Sequence, residues 1–229
     1  MDREIIAIID PMCSWCWGFS PVLTEMTSEY GTEVPVSVLV GGLRPLATEP
    51  MDETMKAEIR HHWEDVNKAS GQPFDFSFFE RNEFVYDTEP ACRAVVTVRT
   101  LKPEAVFSYH EMLHRAFYQE NRDITDGGIL EELAGNEGID PNAFTKAFSS
   151  RQMIYDTAAD FYRSHAMGVR GFPTVLLRND QSAAILTAGF QPFDALKPVL
   201  DPWVAGDLNP AGGNGGADAE TSGEGETQP

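Results

Sequence analysis

The sequence predicts an α/β protein whose sheet is interrupted by a long all-helical insertion. Three observations predict it. The almost continuous apolar run Ile5, Ile6, Ala7, Ile8, Ile9 opens the chain, and a second β-rich run follows at residues 34–40. From about residue 50 to residue 167 apolar residues recur at helical spacing, with little sustained alternation. Strand-like runs then return at 174–177 and 184–188. With 229 residues, 42% of them hydrophobic and 10% aromatic, the chain can bury one sizeable core and is too apolar for wholesale disorder.

Taken in order, the opening run is flanked by Asp2, Arg3 and Glu4 before it and by Asp10-Pro11 after it. Its brevity and unbroken apolarity read as a buried parallel strand. Between Cys13 and Tyr30, residues Phe19, Val22, Leu23 and Met26 fall at three- and four-residue spacing, as in a helix packed on that strand, and Gly31 is placed to stop it. Gly41-Gly42, after the second strand, permits a sharp exit or a close backbone approach. The opening is thus a βαβ unit. Ala91, Ala94, Val95, Val98 and Leu101 trace one helical face, and Val106, Tyr109, Met112, Leu113 and Phe117 trace the next, with Pro103 between them as expected of an antiparallel pair. Ile129, Leu130, Leu133 and Ala134 form a shorter face ending near Gly135 and Gly138. Asp140-Pro141 supplies an N-cap and a favoured first-turn proline for a small helix carrying Phe144, Ala147 and Phe148. Ile154, Ala158, Phe161 and His165 line a longer helix that ends about Gly168 and returns the chain to the sheet. Phe193, Leu196, Val199 and Leu200 suggest a closing helix after the late strands. The last 24 residues, 206–229, contain seven glycines, five acidic residues and no Lys or Arg, the composition of a disordered acidic tail. The expected organisation is a core in two parts, 1–48 and 149–205, split by an insertion over 49–148 and followed by the tail.

Thirty-six acidic residues against 17 Lys plus Arg give a formal net charge of −19, which argues against a broad footprint for nucleic acid or anionic lipid. No stretch approaches the roughly 20 apolar residues that cross a bilayer. The first apolar run, broken by Asp10 and Pro11, lacks a secretory leader's cleavage pattern. A soluble, cytoplasmic protein is expected.

Three cysteines are too few for a disulfide-stapled scaffold, but Cys13 and Cys16 form a CxxC at a strand-to-helix junction. Two intervening residues let the sulfurs meet within one helical turn, and the free amides of a helix start stabilise a thiolate on Cys13. Cys13 is therefore expected to attack through a mixed disulfide, with Cys16 resolving it. The same spacing serves half of a zinc site, yet four ligands are required and neither a second CxxC nor a compact Cys-His pair occurs. A structural disulfide across so short a loop would restrict little unfolded-chain entropy. Trp15 and Trp17 flank Cys16, with Phe19 a turn onward, and could form an apolar surface for a polypeptide substrate or pack in the core. Asp10 could assist proton transfer at Cys16, although a strand-ending turn is the stronger reading.

The segment Asp10-Pro11-Met12-Cys13-Ser14-Trp15-Cys16-Trp17-Gly18-Phe19, together with Gly168-Val169-Arg170-Gly171-Phe172-Pro173-Thr174, resembles the thioredoxin-fold family of DsbA-like thiol-disulfide oxidoreductases, in particular its FrnE-like branch. The resemblance spans residues 4–203 and implies a thioredoxin-like fold with a helical insertion. It also implies that Pro173 is cis and lies beside the cysteines, where the Phe172 backbone positions an extended substrate. Val169 and Thr174 support the turn or simply pack. The activity implied is dithiol/disulfide exchange with protein or peptide thiols, with glutathione a candidate partner.

Other features compete. His110-Glu111-Met112-Leu113-His114 matches the HExxH of zinc peptidases but lies inside the helical insertion, where a polar helix face with Met112 and Leu113 inward suffices. Cys92 reads as a small core residue, His165 as a packing residue, and His61-His62 beside Trp63 as a polar helix edge. Neither GxGxxG nor a Walker A pattern supports a nucleotide, so no cofactor is expected. Two alternatives stand beside the exchange enzyme: a glutathione-linked transferase or small-molecule isomerase on a related scaffold, and a non-catalytic polypeptide-binding module.

Overall fold

Five of the six residues of strand β1 (Glu4–Ile9) are buried, so β1 requires cover on both faces and a neighbour on each edge. The computed structural model, which describes residues 3–180 and 182–208, places it inside a four-stranded sheet of order β2-β1-β3-β4. β2 (Val36–Val40) pairs parallel with β1, with Ile9 opposite Val40. β3 (Thr174–Arg178) pairs antiparallel on the other side, and β4 (Ala183–Ala188) follows antiparallel at the far edge. The parallel pairing expected of β1 thus holds on one side only. The reason is where the chain re-enters the sheet: Thr174 stands opposite Ile8, so the chain returns to the end of the sheet at which β1 leaves it and β3 must run back.

α1 (Ser14–Tyr30) connects β1 to β2, and α8 (Phe193–Ala205) closes the fold. Between β2 and β3 lie α2 (Glu53–Ser70), a 3-10 turn (Phe76–Glu80), α3 (Glu89–Leu101), α4 (Val106–Tyr118), α5 (Gly127–Asn136), α6 (Pro141–Phe148) and α7 (Arg151–Ala166). This is a thioredoxin-like α/β core with a large helical insertion. Local chemistry starts these helices: Asp52 accepts from the Met55 amide, Asp126 from Gly128 and Ile129, Asp140 from Ala143, and Ser150 from Met153. Trp63 of α2 is fully buried among Phe74, Phe76, Phe78, Phe79, Phe117 and Tyr118, and this aromatic cluster joins α2 to α4.

The face expected of α7 is corrected. Its buried residues are Met153, Thr157, Asp160 and Ser164, whereas Ile154 and His165 are exposed. The inward stripe is mostly polar because it serves the edge of the sheet. Asp160 accepts from the Val40 amide at 3.3 Å, Arg99 of α3 donates to the Val38 carbonyl at 2.6 Å, and Arg99 and Asp160 pair at 2.6 Å. Among the described residues no helix is long and apolar enough to cross a membrane. The expected acidic tail lies outside the described residues from position 209 onward.

Candidate active site

The end of β1 is shaped by Asp10. Its carbonyl accepts from the Cys13 amide at 3.0 Å and its carboxylate from the Met12 amide at 2.9 Å, a tight turn that delivers Cys13 as the N-cap of α1 in an extended conformation. The Cys13 carbonyl takes the first helical bond, from Trp17 at 3.1 Å, and Cys16 sits one turn in. Both cysteines are nearly covered, Cys13 at 5% and Cys16 at 2% exposure. Burial pushes the Cys16 thiol well up, and its hydrogen bond with Cys13 and the nearby negative charges add to the effect.

From the other end of the chain, the Phe172-Pro173 peptide is cis and reaches the same place. The Cys13 thiol donates to the Phe172 carbonyl at 3.5 Å across 159 residues of sequence. The Pro173 carbonyl is held by the Gly189 amide at 2.7 Å. The Phe172 ring lies directly over Gly41, where a Cβ would stand 2.0 Å from the ring, so the double glycine after β2 provides a close approach as well as an exit. Thr174 donates to the Gly171 carbonyl at 2.8 Å, and Val169 packs with Ile6, Ile8 and Leu176; both are structural.

Trp15 and Trp17 part company. Trp15 is half-buried at the surface, with its ring 6.2 Å from Phe190. Trp17 stacks on Tyr118 inside the protein and donates to the Pro73 carbonyl at 3.1 Å, and Phe19 is fully buried, so these two belong to the core. Phe190, which no sequence pattern singles out, lies beside Trp15 at the surface. The only signal was an aromatic directly after a strand and its glycine.

Asp10 is fully buried. Besides Met12, it accepts from the Leu43 amide at 2.7 Å and from the Cys92 thiol at 3.3 Å. Burial pushes its carboxyl up from the ordinary value, and these donors, with the Thr88 hydroxyl, oppose that rise. Cys92 is likewise buried, and burial and Asp10 push its thiol well up. The Tyr86 hydroxyl donates to the Met12 carbonyl at 2.5 Å and pins the loop from the insertion side.

The HExxH histidines face inward. His110 and His114 are buried with ring centroids 4.1 Å apart, His114 lies against Trp17, and burial lowers both, His110 to about 3. Among the described residues no group of three or more His, Cys, Asp or Glu side chains converges as a metal site. His61 is exposed beside Asp65, and His165 is exposed beside Arg170.

Comparison with known proteins agrees with this geometry. A family model described as a DSBA-like thioredoxin domain matches residues 4–201. The chain is 37% identical to a candidate protein disulfide isomerase from Nitrosomonas europaea, with a TM-score of 0.83 over 91% of this chain and 100% of that one. It shares the fold of the cytosolic disulfide reductase DsbM from Pseudomonas aeruginosa, at 24% identity and a TM-score of 0.74 over 88% of this chain and 98% of that one. Among curated proteins it is 26% identical over 204 residues to the ClpXP adapter protein SpxH of Shouchella clausii and 23% identical over 204 residues to that of Halalkalibacterium halodurans. The matches cover 86% of this chain, which spans 66% of the length of those relatives. The CxxC at the start of α1 and this likeness together support catalytic thiol-disulfide exchange.

Proposed function

The chain belongs to the DsbA-like thioredoxin-domain family, and from that premise we propose that it exchanges a Cys13–Cys16 dithiol or disulfide with protein or peptide substrates. The Cys13 thiolate attacks one sulfur of a substrate disulfide, forms a mixed disulfide and releases the other sulfur as a thiolate. Cys16 then gives up its proton and attacks the Cys13 sulfur, so the substrate leaves as a dithiol and the Cys13–Cys16 bond carries the oxidation. The reverse sequence oxidises a substrate. Asp10 is a fully buried carboxylate whose charge acts on the Cys16 thiol, and in this reading it accepts that proton. Phe172, Pro173 and Trp15 position an extended substrate against Cys13.

The observation that carries this reading is the Phe172 carbonyl 3.5 Å from the Cys13 sulfur, beside the cis peptide. The decapeptide from Asp10 to Phe19 favours the FrnE-like branch. A DsbM structure determined with GSH supports glutathione as a small partner, and cytosolic DsbM and the SpxH adapters support a cytoplasmic setting. α7 packs on α3 as well as on β2, and its contact with β2 is the support for grouping it with the core and ending the insertion at residue 148.

Turnover of a disulfide-bearing peptide by the wild type, Cys13→Ser and Cys16→Ser tests the assignment. Cys13→Ser abolishes exchange, whereas Cys16→Ser accumulates trapped mixed disulfides. Equal activity in the two variants refutes it. The adapter relatives favour a second reading, a polypeptide-binding module. In that case a Cys13→Ser/Cys16→Ser chain binds its polypeptide as tightly as the wild type and the wild type shows no turnover.

A further inference from the structure

We propose that Cys92 is a positioning residue of the exchange reaction: its thiol donates to the buried Asp10 carboxylate and holds it between the cysteine loop and the end of β2. The inference rests on the exchange reading and adds a role for the third cysteine.

The geometry makes Asp10 a hub. One carboxylate oxygen takes the Met12 amide, inside the turn that presents Cys13. The other takes both the Leu43 amide, two residues beyond the Gly41 floor under Phe172, and the Cys92 thiol from the first turn of α3. Three parts of the molecule therefore meet on one side chain: the nucleophile's loop, the strand exit beneath the substrate-positioning segment, and the helical insertion. Among the described residues no cation pairs with Asp10, so neutral donors alone stabilise its charge. A fully buried carboxylate held by neutral donors alone responds to the loss of any one of them. The other groups facing it are Cys16 from α1, Thr88 and Tyr86 from the segment entering α3, and His114 of α4 against its main chain. Of the three cysteines, Cys92 is the one whose thiol hydrogen-bonds the Asp10 carboxylate. That geometry uses its sulfur as a donor and leaves exchange to the pair.

The sign follows from the charge. Removing a donor disfavours the carboxylate, raises the pH at which Asp10 ionises, and weakens it as the acceptor of the Cys16 proton on the acidic side. A thiol is a weak donor. The expected shift is about 0.5–1 pH unit, or about 3–10-fold in rate below the midpoint.

The test is a single-turnover measurement of Cys16-dependent release of a peptide from a preformed Cys13 mixed disulfide, followed across pH for the wild type, Cys92→Ala and Cys92→Ser. Cys92→Ala moves the acidic midpoint upward, while Cys92→Ser, which restores a donor, returns it most of the way. An alanine midpoint equal to that of the wild type overturns the proposal, as does serine shifting as far as alanine. Mass spectrometry that finds Cys92 disulfide-bonded to Cys13 or Cys16 during turnover also overturns it. In a Cys13→Ser/Cys16→Ser chain Cys92 is the sole thiol, and its S–H infrared band reports on the hydrogen bond without any exchange. A band displaced from the free-thiol position and moving with pH establishes the Cys92–Asp10 hydrogen bond independently of turnover, so that an inactive wild type would overturn the exchange reading and not this contact; a pH-independent band at the free-thiol position refutes the proposal.

Discussion

Gly41→Ala is the most discriminating perturbation of the site. Its backbone angle is not left-handed, so alanine is tolerated by the main chain, and the whole effect falls on Phe172. A Cβ there would lie 2.0 Å from one ring carbon and 2.1 Å from the next, against the 3.4 Å at which ordinary contact begins. The ring must retreat by about 1.4 Å to restore contact distance. Phe172 is half-buried and can swing toward solvent, so the overpacking cost is expected at the low end of about 1–3 kcal/mol. The Phe172 carbonyl touches the Cys13 sulfur, and misplacement of a positioning group by an ångström can cost about 100-fold. We expect kcat/KM for a peptide disulfide to fall by about 10–100-fold, with Tm lower by about 5 °C or less. Gly71→Ala is the control. That residue closes α2 at φ 74 with no atom near the added Cβ, so it loses about 1–2 kcal/mol of stability and keeps its rate. Wild-type turnover in a folded Gly41→Ala chain would refute the argument that the glycine floor aims Phe172 at Cys13.

Arg99→Ala leaves the buried Asp160 carboxylate without its close partner and the Val38 carbonyl without its donor, and should cost about 3 kcal/mol. An unchanged urea midpoint would contradict this. The buried histidines give a pH dependence of known sign. Their folded values lie below the unfolded value, so their contribution is complete above about pH 6.5 and is lost as pH falls toward the folded values, about 3 for His110, at up to about 1.4 kcal/mol per pH unit for each. His110→Leu removes one such proton, and a stability-pH slope identical to that of the wild type between pH 6 and 4 would count against the buried neutral state. Trp15→Ala and Phe190→Ala should each raise KM for a peptide disulfide about 3–10-fold and leave turnover of a small disulfide nearly unchanged. Equal losses on both substrates would remove this aromatic pair from substrate recognition.

Elements with clean apolar periods were legible in the sequence: the opening strand, the helix behind the cysteines, and the Asp140-Pro141 start of α6. So was the meeting of the CxxC with Pro173, through family resemblance rather than periodicity. The face of α7 was not, because an apolar pattern is blind to a stripe of Thr157, Asp160 and Ser164 buried to serve a strand edge. Nor were the bounds of α2 legible, since Trp63 and Val66 are its only buried apolar residues. Trp15 and Trp17 are two residues apart on one helix and point to opposite environments, which composition cannot separate. The contact between Asp10 and Cys92 spans 82 residues and depends on the folded insertion alone.

Arg99 and Asp160 occupy the outward-facing carbonyl of Val38 and amide of Val40. That border of the sheet is consequently shielded against a stray strand, by a charged clasp borrowed from α3 and α7. The opposite border, along Ala183–Ala188, carries no ionisable side chain and exposes Ile185. Any lengthening of this sheet by a guest strand is therefore directed to one border, away from the one that α3 and α7 guard.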